Sequence, residues 1–266
     1  MPAPDPPLAA GAPFDAAADA YDAFEALPGV PRLRTIVHDV LLRSFPRGAR
    51  LLELNCGTGT DAAALAREGR SVLATDASAR MVERTAARAA AEGLQGSLTA
   101  RTLPFERLAE LSPAVFDGVW SDMGGLNCTA DLRGLFTDLH PLLAPGGLFV
   151  AVVMPDLSLW ETASFLARGD VSGAFRRRRP GGVDARIPGG TVHVWYHSPA
   201  RLREAAAPRF RVAAQLGLNV FSPPPGAAKR LGRLRGVLEG LDDRLAAIPA
   251  FARLGDHLLV VFRRVP

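Results

Sequence analysis

The sequence predicts an α/β protein in which an open, mostly parallel sheet carries helices on both faces. The first observation is the apolar run 51–54, which is typical of a strand buried on both faces. The second is the order of elements around it, because Gly57 and Gly59 follow this strand and an Ala-rich helix, 61–68, follows the glycines. The third is that strands and helices continue to alternate along the chain, which favours parallel strands joined by crossover helices.

Each element is predicted from its own pattern. Ahead of the first strand, apolar residues recur at helical spacing in 14–28 and 31–45. After helix 61–68, the pattern predicts strand 72–75, helix 78–92, strands 97–100 and 115–120, helix 132–142, and a turn and strand within 143–154. Beyond residue 155 it predicts helix 160–168, a hairpin of 183–187 and 191–197, helix 198–207, strand 210–221, helix 227–245 and strand 257–262.

Length and composition suit one sizeable domain. The chain has 266 residues, of which 48% are hydrophobic, and no apolar run reaches the length of a membrane span. Residues 1–13 are rich in Pro and Ala and lack Lys and Arg, so we expect a disordered leader without the basic start of a secretion signal. Cys56 and Cys128 match no metal-ligand spacing, so we expect free thiols in a reducing compartment and no metal site.

The basic charge balance could point to a nucleic-acid partner. The formal net charge is +4 and the pI is near 9.8. However, Lys229 is the only lysine, while Arg, Ala, Gly and Pro are abundant together. This combination indicates a compositional bias along the whole chain, so we do not expect a nucleic-acid partner on this ground.

The glycine loop is the first candidate binding site. Gly57 and Gly59 let the backbone approach a ligand, and the helix that follows offers bare amides to a negative group. Glu53 precedes the glycines, and Asp76 ends the next strand at about the spacing where a carboxylate meets a ribose. Two other interpretations stay open: a plain turn, and a dinucleotide site, since Gly57-x-Gly59-x-x-Ala62 satisfies the relaxed fingerprint.

Four segments together resemble a known family. LLELNCGTGTDAAALA (51–66) and VLATDASARMVE (72–83) resemble the first two motifs of the class I S-adenosylmethionine-dependent methyltransferases. FDGVWSDMGGLNC (116–128) and LAPGGLFVAVVM (143–154) resemble the fourth and fifth motifs. The resemblance covers about 14–154, and Asn55 departs from it because the family usually has glycine there.

The resemblance implies a fold and a domain organisation. We expect a Rossmann-like sheet of seven strands closed by an antiparallel hairpin, N-terminal lid helices and an inserted β-hairpin. After the leader, 14–266 would form a single methyltransferase domain. Its lid and cofactor-binding part would be 14–154, and its substrate-side part with the closing strands would be 155–266.

The resemblance also implies S-adenosyl-L-methionine as the cofactor and a set of residues near it. In the family the acidic adenine contact often follows the third strand, where this chain has Arg101 and Thr102, so Thr102 or backbone would replace it. The predicted cofactor-binding residues are Tyr21, Arg34, Glu53, Asn55, Cys56, Gly57, Gly59, Asp76, Ala77, Met81, Thr102, Leu103 and Ser121. For Tyr21, Arg34 and Met81, packing or solvent exposure is an equal alternative.

Three residues are candidate general bases. Asp122 follows the fourth strand, where ligands collect in open parallel sheets, and is either a base or a polar substrate contact. Asn127 is a second candidate substrate contact, and the alternative is that both residues only shape the loop. In the predicted hairpin, strict alternation would place His193 and His197 on one face, opposite an apolar face. A neutral-range His suits proton abstraction, and the alternative is an edge hairpin with a wet face.

The run Arg176–Arg179 is predicted to be a solvated loop, with recognition of an acidic substrate as the alternative.

Together with the resemblance, the sequence leads us to expect a cytoplasmic methyltransferase acting on an O or N atom of a small molecule. The alternatives are a methyltransferase for RNA or another polyanion, and a non-catalytic cofactor-binding regulatory module.

Overall fold

The computed structural model describes residues 11–25, 30–187, 190–223 and 234–266. Its strands, in chain order, are β1 (Arg50–Glu53), β2 (Ser71–Asp76), β3 (Leu98–Thr102), β4 (Phe116–Ser121), β5 (Leu143–Val153), β6 (Val183–Ile187), β7 (Gly190–Val194), β8 (Phe210–Leu218) and β9 (His257–Arg264). Its helices are α1 (Ala12–Ala17), α2 (Tyr21–Glu25), α3 (Val30–Ser44), α4 (Thr60–Arg67), α5 (Ala79–Ala91), α6 (Leu132–Leu142), α7 (Leu159–Leu166), α8 (Val171–Ala174), α9 (Pro199–Ala206), α10 (Leu234–Leu245) and α11 (Pro249–Ala252).

The described strands form a seven-stranded mixed sheet in the order β3-β2-β1-β4-β5-β9-β8, with β6 and β7 paired separately. Strands β1 to β5 run parallel, whereas β9 is antiparallel to both β5 and β8. The predicted α/β class, the closing antiparallel pair and the inserted hairpin are therefore confirmed. The strand order reverses between β1 and β4, and a crevice is expected at the carboxyl ends of the strands there.

Two apolar layers hold the sheet. On one face Phe136 of α6 packs edge-on against Phe149 and Phe262, with ring centroids 5.8 and 5.0 Å away. On the other, Leu33 and Leu41 of α3 belong to the cluster that covers β1 and β2. Both layers are built from the apolar periodicity that predicted these helices, so the sheet is buried on both sides.

The predicted helix 14–28 is wrong as a single element. The chain forms α1 and α2 with a turn at Ala18–Ala20, and 26–28 lie outside the described residues. The turn lets Asp19 and Asp22 both face arginines of α5. Helix α1 begins at Ala12, inside the predicted leader, whose residues 1–10 are not described.

The other element boundaries that differ from the prediction lie mainly in the substrate-side part, 155–266. Strand β8 ends at Leu218 rather than residue 221, because Asn219 takes a left-handed φ of 52° that a strand cannot continue. The predicted helix 227–245 is described only from Leu234, and the Pro188–Gly189 part of the predicted hairpin turn lies outside the described residues. In the described ranges, no helix combines the length and apolarity that a membrane crossing requires.

Candidate active site

A cleft opens at the carboxyl ends of β1, β2 and β4, under the lid segment (residues 11–25). Its lining comes from the lid, the glycine loop, the start of α5 and the loops after β3 and β4. The lining residues are Phe14, Tyr21, Leu54, Asn55, Cys56, Gly57, Thr60, Asp61, Asp76, Ala77, Met81, Pro104, Phe105, Glu106, Asp122, Met123, Gly124, Gly125 and Cys128. The topological switch point of the sheet is thus also the position of this cleft.

The glycine loop brings α4 close to α5 and bends under the lid. Gly59 precedes α4 with φ of 81°, and a Cβ there would lie 2.8 Å from a methyl carbon of Thr85. Gly57 also has positive φ, and a Cβ there would lie 3.6 Å from the Tyr21 ring. Gly57 lines the cleft, whereas Gly59 acts behind it by allowing the close approach of two helices.

Asp76 is held by backbone amides at the edge of the cleft. Its Oδ2 accepts from the Gly57 N–H at 3.0 Å and its Oδ1 from the Ser78 N–H at 2.9 Å. Burial outweighs these hydrogen bonds and raises the pKa of Asp76 to about 6. Each carboxylate oxygen keeps a further lone pair, so the side chain can accept from two ligand hydroxyls.

A second feature is the carboxyl cluster, Glu53, Asp61 and Asp122, whose oxygens lie within 4.8 Å of one another. Arg34 and His38 both contact the Asp61 carboxylate. Burial raises the pKa of Asp61, but the His38 hydrogen bond and the Arg34 charge outweigh it and hold that pKa well below its ordinary value. Burial, reinforced by the Asp61 charge, raises the pKa values of Glu53 and Asp122 well above theirs.

Two oxygens of the cluster are buried without a hydrogen-bond partner among the described residues: Glu53 Oε2 and Asp122 Oδ2. The other Glu53 oxygen accepts from the Trp120 indole N–H at 3.0 Å. Unsatisfied buried acceptors are costly, so they favour a ligand that carries N–H or O–H donors. An ammonium group, with three N–H donors, is one ligand that could satisfy both oxygens.

Asn55 links the loops after β1 and β4. Its side-chain N–H donates to the Asp122 carbonyl at 2.9 Å, and its Oδ1 accepts from the Ser121 hydroxyl. The non-glycine residues of the described chain with positive φ are Met123 and Asn219, so Asn55 does not use the left-handed conformation that a family glycine would permit. Instead it fills space, because a Cβ on Gly125 would lie 2.1 Å from the Asn55 side chain.

The loop after β3 lines the cleft further along the chain than expected. Thr102 is exposed and Leu103 is buried, and neither lines the cleft. Phe105 and Glu106, at the start of a 3₁₀ turn, occupy that wall instead. Glu106 was not predicted, because it does not follow the strand directly; the signal that could have indicated it is Pro104, after which the chain turns.

Both histidine candidates lie away from the lining. His193 is exposed, paired with Asp184 at 2.7 Å and with the Gly181 carbonyl. His197 is fully buried, and its Nε2 lies 3.0 Å from the Leu126 carbonyl. The predicted alternation fails for His197 because β7 ends at Val194.

Burial lowers the pKa of His197 to about 4, so this imidazole is neutral at pH 7. Asn127 also differs from the expectation that it contacts a substrate. Its side chain binds backbone groups of Met154 and Trp195, and it therefore fastens the hairpin to the β4 loop.

The arginine run is not a solvated loop throughout. Arg177 is 6% exposed and pairs with Glu161 and Asp256 at 2.8 and 2.9 Å, and Arg176 also contacts Glu161. Arg178 and Arg179 are exposed, as predicted. In the described chain, the four arginines are absent from the cleft lining, so they do not converge on its mouth.

The structure thus brings together part of the predicted set. Eight predicted residues line the cleft: Tyr21, Asn55, Cys56, Gly57, Asp76, Ala77, Met81 and Asp122. Arg34, Glu53, Gly59 and Ser121 stand behind that lining and contact it or support it. The lining residues that the sequence interpretation missed include Phe14, Asp61, Phe105, Glu106 and Met123.

Comparison with known proteins identifies the domain. Residues 51–147 match the family model described as "Methyltransferase domain". A ubiquinone biosynthesis O-methyltransferase from Caulobacter sp. (strain K31) is 34% identical over 107 residues, which cover 40% of this chain and 41% of that protein. The chain thus matches about two fifths of that relative's length. Residues 51–147 thus form a methyltransferase domain, as the resemblance to the class I S-adenosylmethionine-dependent methyltransferases predicted.

Solved structures share the fold. A methyltransferase from Mesorhizobium loti has a TM-score of 0.55 at 20% identity, covering 90% of this chain and 99% of that one. The geranyl diphosphate C-methyltransferase from Streptomyces coelicolor A3(2), solved with Mg²⁺, geranyl diphosphate and S-adenosyl-L-homocysteine, has a TM-score of 0.56 at 16% identity, covering 89% of this chain and 80% of that one. At these identities the likeness establishes the Rossmann-like methyltransferase fold and not the substrate.

Proposed function

We propose that the protein transfers a methyl group from S-adenosyl-L-methionine to an O or N atom of a small molecule. The observation that carries this proposal is a single cleft under the lid segment whose lining includes Asp76, Met123, and Asp61 and Asp122 of the carboxyl cluster. In the cofactor the sulfonium that bears the methyl group lies between the ribose and the amino acid, so Asp76 would hold the ribose, the carboxyl cluster would hold the amino acid, and the methyl group would lie between them.

The lining fits the cofactor at each end. Asp76 has free lone pairs for the ribose hydroxyls, while Met81 and Phe105 offer apolar surface and Glu106 an acceptor for an adenine amino group. At the other end, the unpartnered oxygens of Glu53 and Asp122 suit an ammonium group. The relative with bound S-adenosyl-L-homocysteine supports the same cofactor class.

The bound cofactor would supply a methyl group already activated by its sulfonium charge. The chain's own residues therefore need mainly to orient the acceptor and exclude water. Phe14 and Tyr21 cover the cleft from the lid, and Met123, held at φ of 47°, shapes the wall after β4. Cys128 is unsuited as a nucleophile, because burial raises the pKa of its thiol to about 12.

Asp122 supports the proposal of a general base. It lines the cleft, and its raised pKa makes it a better proton acceptor, once ionised, than an ordinary carboxylate. His193 and His197 remain candidates from the sequence only, since neither belongs to the cleft lining. The cytoplasmic location also remains a prediction.

The test begins with calorimetric titration of the full chain with S-adenosylmethionine, S-adenosylhomocysteine and NAD. We expect micromolar binding of the first two and no binding of NAD. Binding of NAD alone would favour a dinucleotide enzyme. Formation of S-adenosylhomocysteine is then measured against panels of hydroxyl and amine acceptors. Binding without turnover on any acceptor would favour the regulatory-module alternative.

Replacing Asp122 by Asn separates catalysis from binding. If Asp122 is the base, kcat should fall about 10²-fold or more on the acceptor found. The Kd for S-adenosylhomocysteine should change much less, because Asn keeps a side-chain oxygen that can accept from the ammonium group. Asp138→Asn, on α6 and absent from the cleft lining, is the matched control. An equal loss in both variants, or none in Asp122→Asn, would contradict the assignment.

A further inference from the structure

The segment 159–179 presents apolar side chains to solvent. Leu166, Val171 and Phe175 are 47%, 60% and 42% exposed, and among the described residues of α7 none is buried. Single exposed apolar residues are ordinary on protein surfaces. Three large ones within ten positions on consecutive short elements form a candidate contact surface.

Exposed arginines accompany these apolar side chains. Arg168 contacts a serine hydroxyl and lies 5.1 Å from the centroid of the Phe165 ring, and Arg178 lies 5.8 Å from that of Phe175. Arg179 donates to a serine hydroxyl at 2.9 Å. Within the described ranges, none of the three arginines forms an ion pair with a carboxylate, so their charges are available to an external anion.

The acidic groups of the same segment are already engaged. Glu161 accepts from Arg176 and Arg177, which tie the segment to the body of the domain. Asp170 caps α8 through a backbone N–H. The segment contains five arginines and only these two acidic residues, so it has a net positive charge. The Glu161 contacts hold the segment in place on the domain.

We propose that this surface docks the protein on an anionic lipid membrane. The cap patch is formed by Leu166, Arg168, Val171, Phe175, Arg178 and Arg179. Guanidinium groups bind lipid phosphates, while Leu, Val and Phe side chains enter the boundary between headgroups and acyl chains. The proposal is independent of the methyl transfer and concerns binding alone.

The composition of the patch favours a lipid surface over a soluble polyanion. RNA or heparin would use the three arginines, but would gain little from Leu166 and Val171, which cannot stack on bases. An anionic bilayer uses both kinds of side chain at once, because charge draws the protein to the surface and apolar burial retains it. The two occupants therefore differ in how binding depends on the apolar residues.

The experiment is co-sedimentation of the full chain with phosphatidylcholine vesicles, with and without about one third phosphatidylglycerol. We expect at least about tenfold stronger partitioning on the anionic vesicles, weakened when salt rises from about 0.1 to about 1 M. Equal binding to both vesicles, or to neither, would overturn the proposal.

Variants then test the two components separately. Val171→Ser with Phe175→Ser, and separately Arg178→Glu with Arg179→Glu, should each reduce partitioning about tenfold or more. Val115→Ser, also 47% exposed but placed before β4, and Arg211→Glu on β8 are the controls and should bind like wild type. Circular dichroism checks that each variant folds.

Three outcomes would overturn the proposal. If only the arginine variant loses binding, and polyuridylate competes fully for the vesicles, the occupant is a soluble polyanion. If wild type does not bind vesicles, and the apolar variant differs from wild type in molecular mass by light scattering, the occupant is a second copy of the chain. Equal losses in the control variants would show that the cap patch is not the surface involved.

Discussion

At the residue scale, Asp76 shows how a buried carboxylate can couple ligand binding to protonation. Its spacing from the glycine loop was sufficient to predict its place in the cleft, because a strand end and a following helix fix where the side chain lies. Its pKa of about 6 was not predictable, since it depends on burial beneath α1 and on amides that only the folded loop brings together. The same limit applies to Asp61, whose partners Arg34 and His38 are 27 and 23 residues away.

We expect cofactor binding to strengthen as pH rises from 5 to 7. Ribose hydroxyls donate best to the ionised carboxylate, and at pH 5 Asp76 is mostly protonated because its pKa in the folded protein is about 6. The Kd for S-adenosylhomocysteine should therefore fall about tenfold over this interval and level off above it. Isothermal titration at several pH values measures this dependence.

The variant Asp76→Asn provides the control. Its Kd for S-adenosylhomocysteine should be higher than that of wild type at pH 7. This Kd should also lack the tenfold fall between pH 5 and 7 that is expected for wild type. The sign for stability is opposite: a folded pKa above the unfolded value means that the free energy of unfolding falls as pH rises from about 4 to about 6. A wild-type Kd that stays constant from pH 5 to 7 would place the nucleotide elsewhere.

At the element scale, the lid segment is fastened to α5 by charge. Asp22 accepts from the Thr58 hydroxyl at 2.6 Å and pairs with Arg84 and Arg88, while Asp15 accepts from Ser78. Partial burial raises the pKa of Asp22, but Thr58 and the arginines outweigh it and lower the pKa overall. The helical pattern predicted a lid here, but not its break, because the position of the turn depends on arginines more than 60 residues away.

Replacing Asp22 by Asn should loosen the lid without altering the cleft. The loss of two partly exposed ion pairs amounts to about 1 kcal/mol, which corresponds to an increase of about fivefold in the cofactor dissociation rate. Stopped-flow displacement measures that rate. Asp39→Asn, exposed on α3, is the matched control, and equal dissociation rates in both variants would show that the Asp22 contacts do not retain the lid.

At the scale of the whole molecule, the N-terminal and C-terminal parts differ in how much their sequence reveals. The strands and helices of 50–153 follow local patterns, so these elements and the parallel part of the sheet agree with the prediction. Residues 155–223 contain short elements whose packing depends on distant partners. Arg177 illustrates this, because its ion-pair partner Asp256 is 79 residues further along the chain and directly precedes β9.

That long-range pair leads to a stability prediction. Arg177→Met removes a buried cation that pairs with Glu161 and Asp256, so Glu161 keeps only Arg176 and Asp256 keeps only His257 as ion-pair partners among the described residues. Breaking a buried pair from one side costs about 3–5 kcal/mol in the free energy of unfolding when the remaining charge is uncompensated, and the partners that remain here place the loss near the lower end, at about 3 kcal/mol. Urea titration at pH 7 measures this loss, and Arg178→Met, which removes an exposed arginine of the same run, should cost no more than about 0.5 kcal/mol.

The pH dependence distinguishes lost charge pairing from lost packing. Burial raises the pKa values of Glu161 and Asp256, but the hydrogen bonds and charges around them outweigh it and lower both pKa values. Their contribution to wild-type stability is therefore present at neutral pH and is lost as the carboxylates are protonated in acid. In Arg177→Met the same carboxylates are easier to protonate, so its deficit relative to wild type should shrink as pH falls from 7 to about 4. A deficit that stays constant over this range would mean that the arginine side chain stabilises the domain by filling space, since packing does not depend on the charge of its neighbours.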